Sequence, residues 1–154
     1  MPYWECDYHI VWATKDRAEM LLGERLIIAE RSIRASCRDQ GAVVHAVGMM
    51  PDHVHLAVAI PPRIAVAELV RIVKGSSSHL LNRTGTGTEL SPFAWQPEYG
   101  VLAFGRASLP KVVAYVVNQP FRHGMDDLIP KLERLERQRR DPNAPLNQDD
   151  TDDD

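Results

Sequence analysis

Ala42-Val43-Val44-His45-Ala46-Val47-Gly48-Met49-Met50-Pro51-Asp52-His53-Val54-His55-Leu56-Ala57-Val58-Ala59-Ile60 is the segment from which the architecture can be read. Ala42 to Met49 reads as a strand, Pro51-Asp52 as a tight turn, and His53 to Ile60 as the strand that returns from it. Side chains alternate across a strand, so Val54, Leu56, Val58 and Ile60 share one face. His53, His55, Ala57 and Ala59 share the other. The apolar set suits a layer of helices. The histidine face, lined beyond by two alanines, leaves room for something bulky.

Outward from this hairpin the pattern stays regular. Upstream, Tyr8 to Thr14 reads as a first strand that ends at Lys15-Asp16-Arg17. Between about Gly23 and Gln40, Leu26, Ala29, Ile33 and Cys37 recur at helical spacing, with Arg31, Arg34 and Arg38 among the polar positions and Gly41 as the stop. Downstream, Pro61-Pro62 ends the third strand. Val66, Leu69, Val70, Val73, Ser77, Leu80 and Leu81 then form one apolar stripe of a helix of about five turns. Thr84 to Pro92 reads as a loop and Glu98 to Phe104 as a fourth strand. Ser108 is the expected N-cap of a last helix with Pro110 in its first turn. Leu109, Val112, Val113 and Val116 mark its buried face, and Pro120 should end it. The order β-α-β-β-α-β plus a helix predicts an α+β, ferredoxin-like fold, with a four-stranded antiparallel sheet, helices on one face and an additional C-terminal helix carrying Tyr115. The expected organisation is a single domain over 1–124, a charged extension of helical character over 125–140, and an acidic disordered tail over 141–154.

Composition sets bounds on partners and compartment. The 154 residues, 17.3 kDa and 44% hydrophobic content suit one domain with a real core. Apolar runs are too short for a membrane-spanning helix. The first residues lack the basic start and apolar run of a secretory signal. Cys6 and Cys37 make neither a disulfide framework nor a thiolate metal site, so a reducing, cytoplasmic setting is the simplest expectation. The net charge of −3 conceals an asymmetry, because residues 141–154 hold six Asp and no Lys or Arg. Without them, 18 basic residues stand against 15 acidic ones and the body carries +3. Fourteen of the 18 are Arg, the cation suited to phosphate and to stacking on bases.

Several groups can carry chemistry. His53 and His55, projecting together, are potential ligands for a divalent metal that would keep open positions for substrate oxygens; an isolated His-x-His is otherwise two half-exposed imidazoles. Tyr115 and Gln119, at i and i+4, are neighbours on the last helix, apart from its valine face. A phenol can act as a covalent nucleophile and an amide oxygen can meet a metal, although a tyrosine alone is more often a packing aromatic. Lys15 and Arg17 after the first strand, and Lys74-Gly75-Ser76-Ser77 in the second helix, can contact phosphates or can be solvated surface. Gly75 costs its helix roughly 1 kcal/mol relative to Ala, and close approach by another group is one reason to keep it. Trp95 and Tyr99 can stack on unpaired bases or cover the sheet edge. His9, His45, His79 and His123 form no second His-x-His.

Taken in order, Tyr8-His9-Ile10-Val11-Trp12-Ala13-Thr14-Lys15, Met50-Pro51-Asp52-His53-Val54-His55-Leu56, Lys74-Gly75-Ser76-Ser77, Trp95-Gln96 with Tyr99-Gly100, and Tyr115 with Gln119 resemble the single-tyrosine HUH transposases. More narrowly they are similar to the REP-associated tyrosine transposases of bacteria and their relatives, the smallest insertion-sequence transposases. The resemblance spans about Tyr8 to His123. It implies a DNA transposase that cleaves and rejoins single-stranded DNA at hairpin-containing ends through a 5′-phosphotyrosine intermediate. It further implies Tyr115 as nucleophile, His53, His55 and Gln119 as ligands of Mg2+ or Mn2+, and Lys15, Arg17, Lys74, Ser76 and Trp95 as DNA contacts. Single-stranded DNA hairpins are the implied partners, with a homodimer, or alternatively a monomer, in the prokaryotic nucleoid. Pro120 and Phe121 depart from the family pattern, in which polar or acidic residues more often follow the glutamine. Two other readings of the same residues are a catalytically idle hairpin-binding protein and a metal-dependent phosphodiester hydrolase that uses water instead of Tyr115.

Overall fold

The computed structural model describes residues 3–83 and 92–118. Strands β1 (Asp7–Ala13), β2 (Val43–Met49), β3 (His53–Ala59) and β4 (Gly100–Phe104) form one antiparallel sheet in the order β2-β3-β1-β4. Helices α1 (Glu24–Asp39) and α2 (Val66–Arg83) connect them, and α3 (Leu109–Val117) follows β4. This is the ferredoxin-like arrangement expected from the element order. The segments 84–91, 125–140 and 141–154, Gln119 and Pro120 lie outside the described residues.

The main core lies between the sheet and the first two helices. Ile10 and Trp12 of β1 and Val54, Leu56 and Val58 of β3 bury against Ile33 and Cys37 of α1 and Leu69, Val73 and Leu81 of α2. These are the alternate residues of each strand and the apolar stripe of each helix, so pattern and packing agree. Helix α1 ends in a Schellman motif. Gly41 adopts φ +78°, its N–H meets the Arg38 carbonyl, and the Ala42 N–H meets that of Cys37. A β-bulge lies between Val44 and Ala46 of β2. His45, the extra residue, reaches the Asp7 carboxylate with Nε2 at 2.9 Å.

Two local expectations are corrected. Ser108 makes no side-chain cap; a 3-10 turn, Arg106–Ser108, already leads into α3, and Ser108 itself has helical torsion angles. Arg106 anchors that turn on buried Asp7, with Nε 2.8 Å from Oδ2. The fourth strand begins at Gly100 rather than Glu98, because the Gln96 and Glu98 carbonyls accept from the Lys74 ammonium instead of joining the ladder.

Candidate active site

The second face of the sheet carries the site. Register pairs Val11 with His55, Ala13 with His53 and His9 with Ala57, so Asp7, His9, Val11 and Ala13 share a face with His53 and His55. Helix α3 crosses this face. Val116 buries on Ala46 and Ala57, with Val112, Val113 and Tyr115 packed beside it. Tyr115 therefore belongs to the sheet-facing side of α3 and not to a face of its own. It lies one turn from Val112, a spacing that places both on one side of a helix. Close seating of α3 depends on Gly48, the cross-strand partner of His55. A Cβ there would lie 2.3 Å from the Val116 carbonyl oxygen.

Four rings converge. His53 and His55 have centroids 5.1 Å apart, His9 and His55 5.1 Å, and Tyr115 lies edge-on 5.8 Å from His55 and 5.7 Å from His9. His55 is fully buried and His53 nearly so. Nδ1 of His53 donates to Asp52 Oδ1 at 2.7 Å, and Nε2 of His9 and Nδ1 of His55 are hydrogen-bonded at 2.9 Å. Among the described residues, His53 Nε2, His55 Nε2 and the Tyr115 hydroxyl are buried without a hydrogen-bond partner. Buried polar atoms normally find partners, so three converging exceptions mark a place built to receive a polar group. Burial, with His9 and His53 alongside, pushes the His55 imidazole down to about 2, and burial takes His9 to about 4. Both are neutral at neutral pH, the form a metal ligand requires.

Asp52 is itself held. Thr14 N–H bonds to the Asp52 carbonyl and Leu21 N–H to that of Pro51. Asp16 and Arg17 take φ of +56° and +53°, left-handed values that cost side-chain-bearing residues roughly 1–2 kcal/mol each. That turn delivers Arg17 Nη2 to Asp52 Oδ2 at 3.1 Å. Partial burial would raise the Asp52 carboxyl, but the His53 N–H and Arg17 hold it below the usual range, so it stays an acceptor.

The remaining residues singled out in the sequence separate into two groups. Lys15 and Ser76 are exposed. Lys74 donates to the Gln96 and Glu98 carbonyls, while Trp95 donates to Ser77 Oγ at 2.8 Å and packs edge-on against Trp12 and Phe93. For Lys74 and Trp95 these contacts supply a scaffolding role. A groove of about 500 Å³ beside them is lined by Arg71, Gly75, Ser78 and Tyr99 among others, and by none of the converging rings. His9, Asp52 and Asp7 were not singled out. Alternation along β1, with β1 placed beside β3, is the signal that finds His9.

The chain belongs to the IS200-like transposase family, whose model matches residues 2–119. It is 27% identical over 123 residues to the ISDra2 transposase TnpA of Deinococcus radiodurans, covering 75% of this chain and 85% of that one. It is 32% identical over 78 residues to the transposase for insertion sequence element IS200 of Salmonella typhimurium, about half of each chain. Among solved structures it resembles a candidate transposase from D. radiodurans, with TM-score 0.61, 26% identity, and 77% and 93% of the two chains covered. A REP-associated tyrosine transposase bound to a REP hairpin shares the fold, with TM-score 0.61 and 19% identity over 99% of this chain and 92% of that one. No described helix is long and apolar enough to cross a membrane.

Proposed function

We propose that this transposase cleaves and rejoins single-stranded DNA with Tyr115 as nucleophile. The observation that carries the reading is the unpartnered Tyr115 hydroxyl, buried beside two unpartnered imidazole nitrogens. The phenol oxygen attacks phosphorus in line. The bond from phosphorus to the 3′ oxygen breaks, the phenolic proton is lost, and the 3′ oxygen leaves as a hydroxyl after taking up a proton. The strand is then joined to Tyr115 through a 5′ phosphate. A 3′-hydroxyl attacking that phosphorus reverses the bond changes and rejoins DNA without an external energy source.

The unpartnered Nε2 atoms of His53 and His55 would suit a divalent cation, which by family likeness would be Mg2+ or Mn2+, with Gln119 as third protein ligand. When bound, such an ion supplies Lewis-acid stabilisation of charge on the phosphate. The chain's own part is to keep both imidazoles oriented and to hold Tyr115 over them. Lys15 and Ser76 suit phosphate contacts, with Arg17 shared between DNA and Asp52. Hairpin DNA is the proposed substrate, by likeness to the hairpin-bound relative. Exposed Val101 and Leu102 on edge strand β4 suit a homodimer, although α3 here seats Tyr115 on the histidines of its own chain.

The test is incubation with single-stranded hairpin oligonucleotides and Mn2+, resolved on a denaturing gel. A DNA-sized mass addition to the protein, absent in Tyr115→Phe while hairpin binding persists, is expected. Cleavage without the adduct would favour hydrolysis by water. Binding without cleavage across a hairpin library would favour the idle binder.

A further inference from the structure

We infer that His9 is a positioning residue that fixes the tautomer of His55 and so aims the His55 Nε2 lone pair at the site. The inference rests on the metal reading of His53 and His55 given above. A neutral imidazole has one N–H and one lone pair. For His53 the choice is settled by chemistry, because Asp52 Oδ1 at 2.7 Å is a carboxylate that only accepts. The proton is therefore on Nδ1, and in the neutral ring that a metal requires the lone pair is on Nε2. Among the described residues His55 has no carboxylate partner. Its Nδ1 meets Nε2 of His9 at 2.9 Å, and the rings are tilted by 32° with centroids 5.1 Å apart.

With His9 as acceptor, His55 carries its proton on Nδ1 and presents a lone pair at Nε2, matching His53. With His9 as donor, His55 would carry a proton on Nε2, buried among the described residues without an acceptor and repelling any cation. Only the first state makes the two unpartnered Nε2 atoms equivalent. His9 is fixed for this role by register. It lies on β1 opposite Ala57, the small residue two positions beyond His55, so its ring reaches diagonally over Ala57 to Nδ1. Histidine ligands are commonly oriented by a hydrogen bond at the second nitrogen. Here the two histidines are oriented by different groups, an aspartate and a third histidine.

The experiment uses the full chain and two variants, with Mn2+ as the probe. His9→Phe keeps an aromatic ring, larger than imidazole, but removes the acceptor, and His9→Gln restores an acceptor oxygen. Mn2+ affinity by titration calorimetry should fall about ten- to hundred-fold in His9→Phe and recover in part in His9→Gln. Long-range proton–nitrogen NMR of the metal-free wild type should place the His55 proton on Nδ1, and that proton should redistribute between the nitrogens in His9→Phe. A folded His9→Phe with wild-type Mn2+ affinity, or a wild-type spectrum with the His55 proton on Nε2, overturns the inference. If the wild type itself binds no Mn2+, the metal reading fails, and the NMR tautomer alone decides the role of His9. If His9→Phe does not fold, the wild-type tautomer and the His9→Gln affinity decide it.

Discussion

Gly48→Ala tests whether the seat of α3 sets the reaction geometry. The added Cβ would meet the Val116 carbonyl oxygen at 2.3 Å, whereas ordinary contact begins near 3.4 Å. Something must retreat by about 1 Å to relieve the clash. Strand β2 is held by its ladder to β3 along its length, while α3, nine residues long, is held to this face by the side chains of Val112, Val113, Tyr115 and Val116. The helix yields first and carries the Tyr115 ring away from His55. Overpacking of this kind costs about 1–3 kcal/mol of stability. A reacting group misplaced by about 1 Å loses on the order of a hundred-fold in rate. Formation of the covalent protein–DNA adduct, followed in a single turnover with Mn2+ saturating, should slow by about that factor while hairpin affinity stays near the wild type. Adduct formation at the wild-type rate in a folded Gly48→Ala protein would refute the claim that this contact positions the tyrosine.

Other perturbations give separate outcomes. Among the described residues nothing approaches the place where a Cβ on Gly75 would be, so Gly75→Ala should stabilise the chain by about 0.5–1 kcal/mol in urea melts; lost DNA affinity in the same variant would place the nucleic acid against α2. Asp52→Ala removes the acceptor for His53 Nδ1 and the partner of Arg17, and should weaken Mn2+ binding about ten- to hundred-fold by calorimetry in a protein with unchanged circular dichroism. Acid should destabilise the metal-free chain. His9 and His55 titrate at about 4 and about 2 when folded but near 6.5 when unfolded, so below pH 6.5 the unfolded state binds more protons. Each histidine then removes about 1.4 kcal/mol per pH unit until the folded group protonates, and unfolding free energies from urea melts at pH 7 and pH 5 should differ by roughly 2–4 kcal/mol in total. Equal free energies at the two pH values would refute this account of how the two imidazoles titrate.

The sheet and its two covering helices were legible because every strand and helix obeys the period of its own geometry. Val54, Leu56 and Val58 alternate with the histidines, and Leu69, Val73 and Ser77 recur along α2; all are buried. Boundaries failed where side chains redirect the backbone. Lys74 draws the Gln96 and Glu98 carbonyls from the ladder, so β4 starts late. Arg106 on Asp7 starts a helical turn before Ser108, and a cap at Ser108 then has nothing to do. Contacts between residues 22 to 99 positions apart leave no local trace in a sequence.

The site divides along the same line. His53 and His55 were visible because one strand carries both, and period two alone puts them on one face. His9 was invisible by that route, since it lies 46 residues from His55 and enters only when β1 is paired with β3 in the observed register. A one-residue slip would turn His9 into the helical core and bring Tyr8 or Ile10 to the site. The register that buries Ile10 and Trp12 therefore also delivers His9 to His55. Packing on one face of the sheet and the candidate site on the other are specified by the same strand pairing. A mutation in the core that shifted that pairing would remove the third histidine from the site without altering any residue within it.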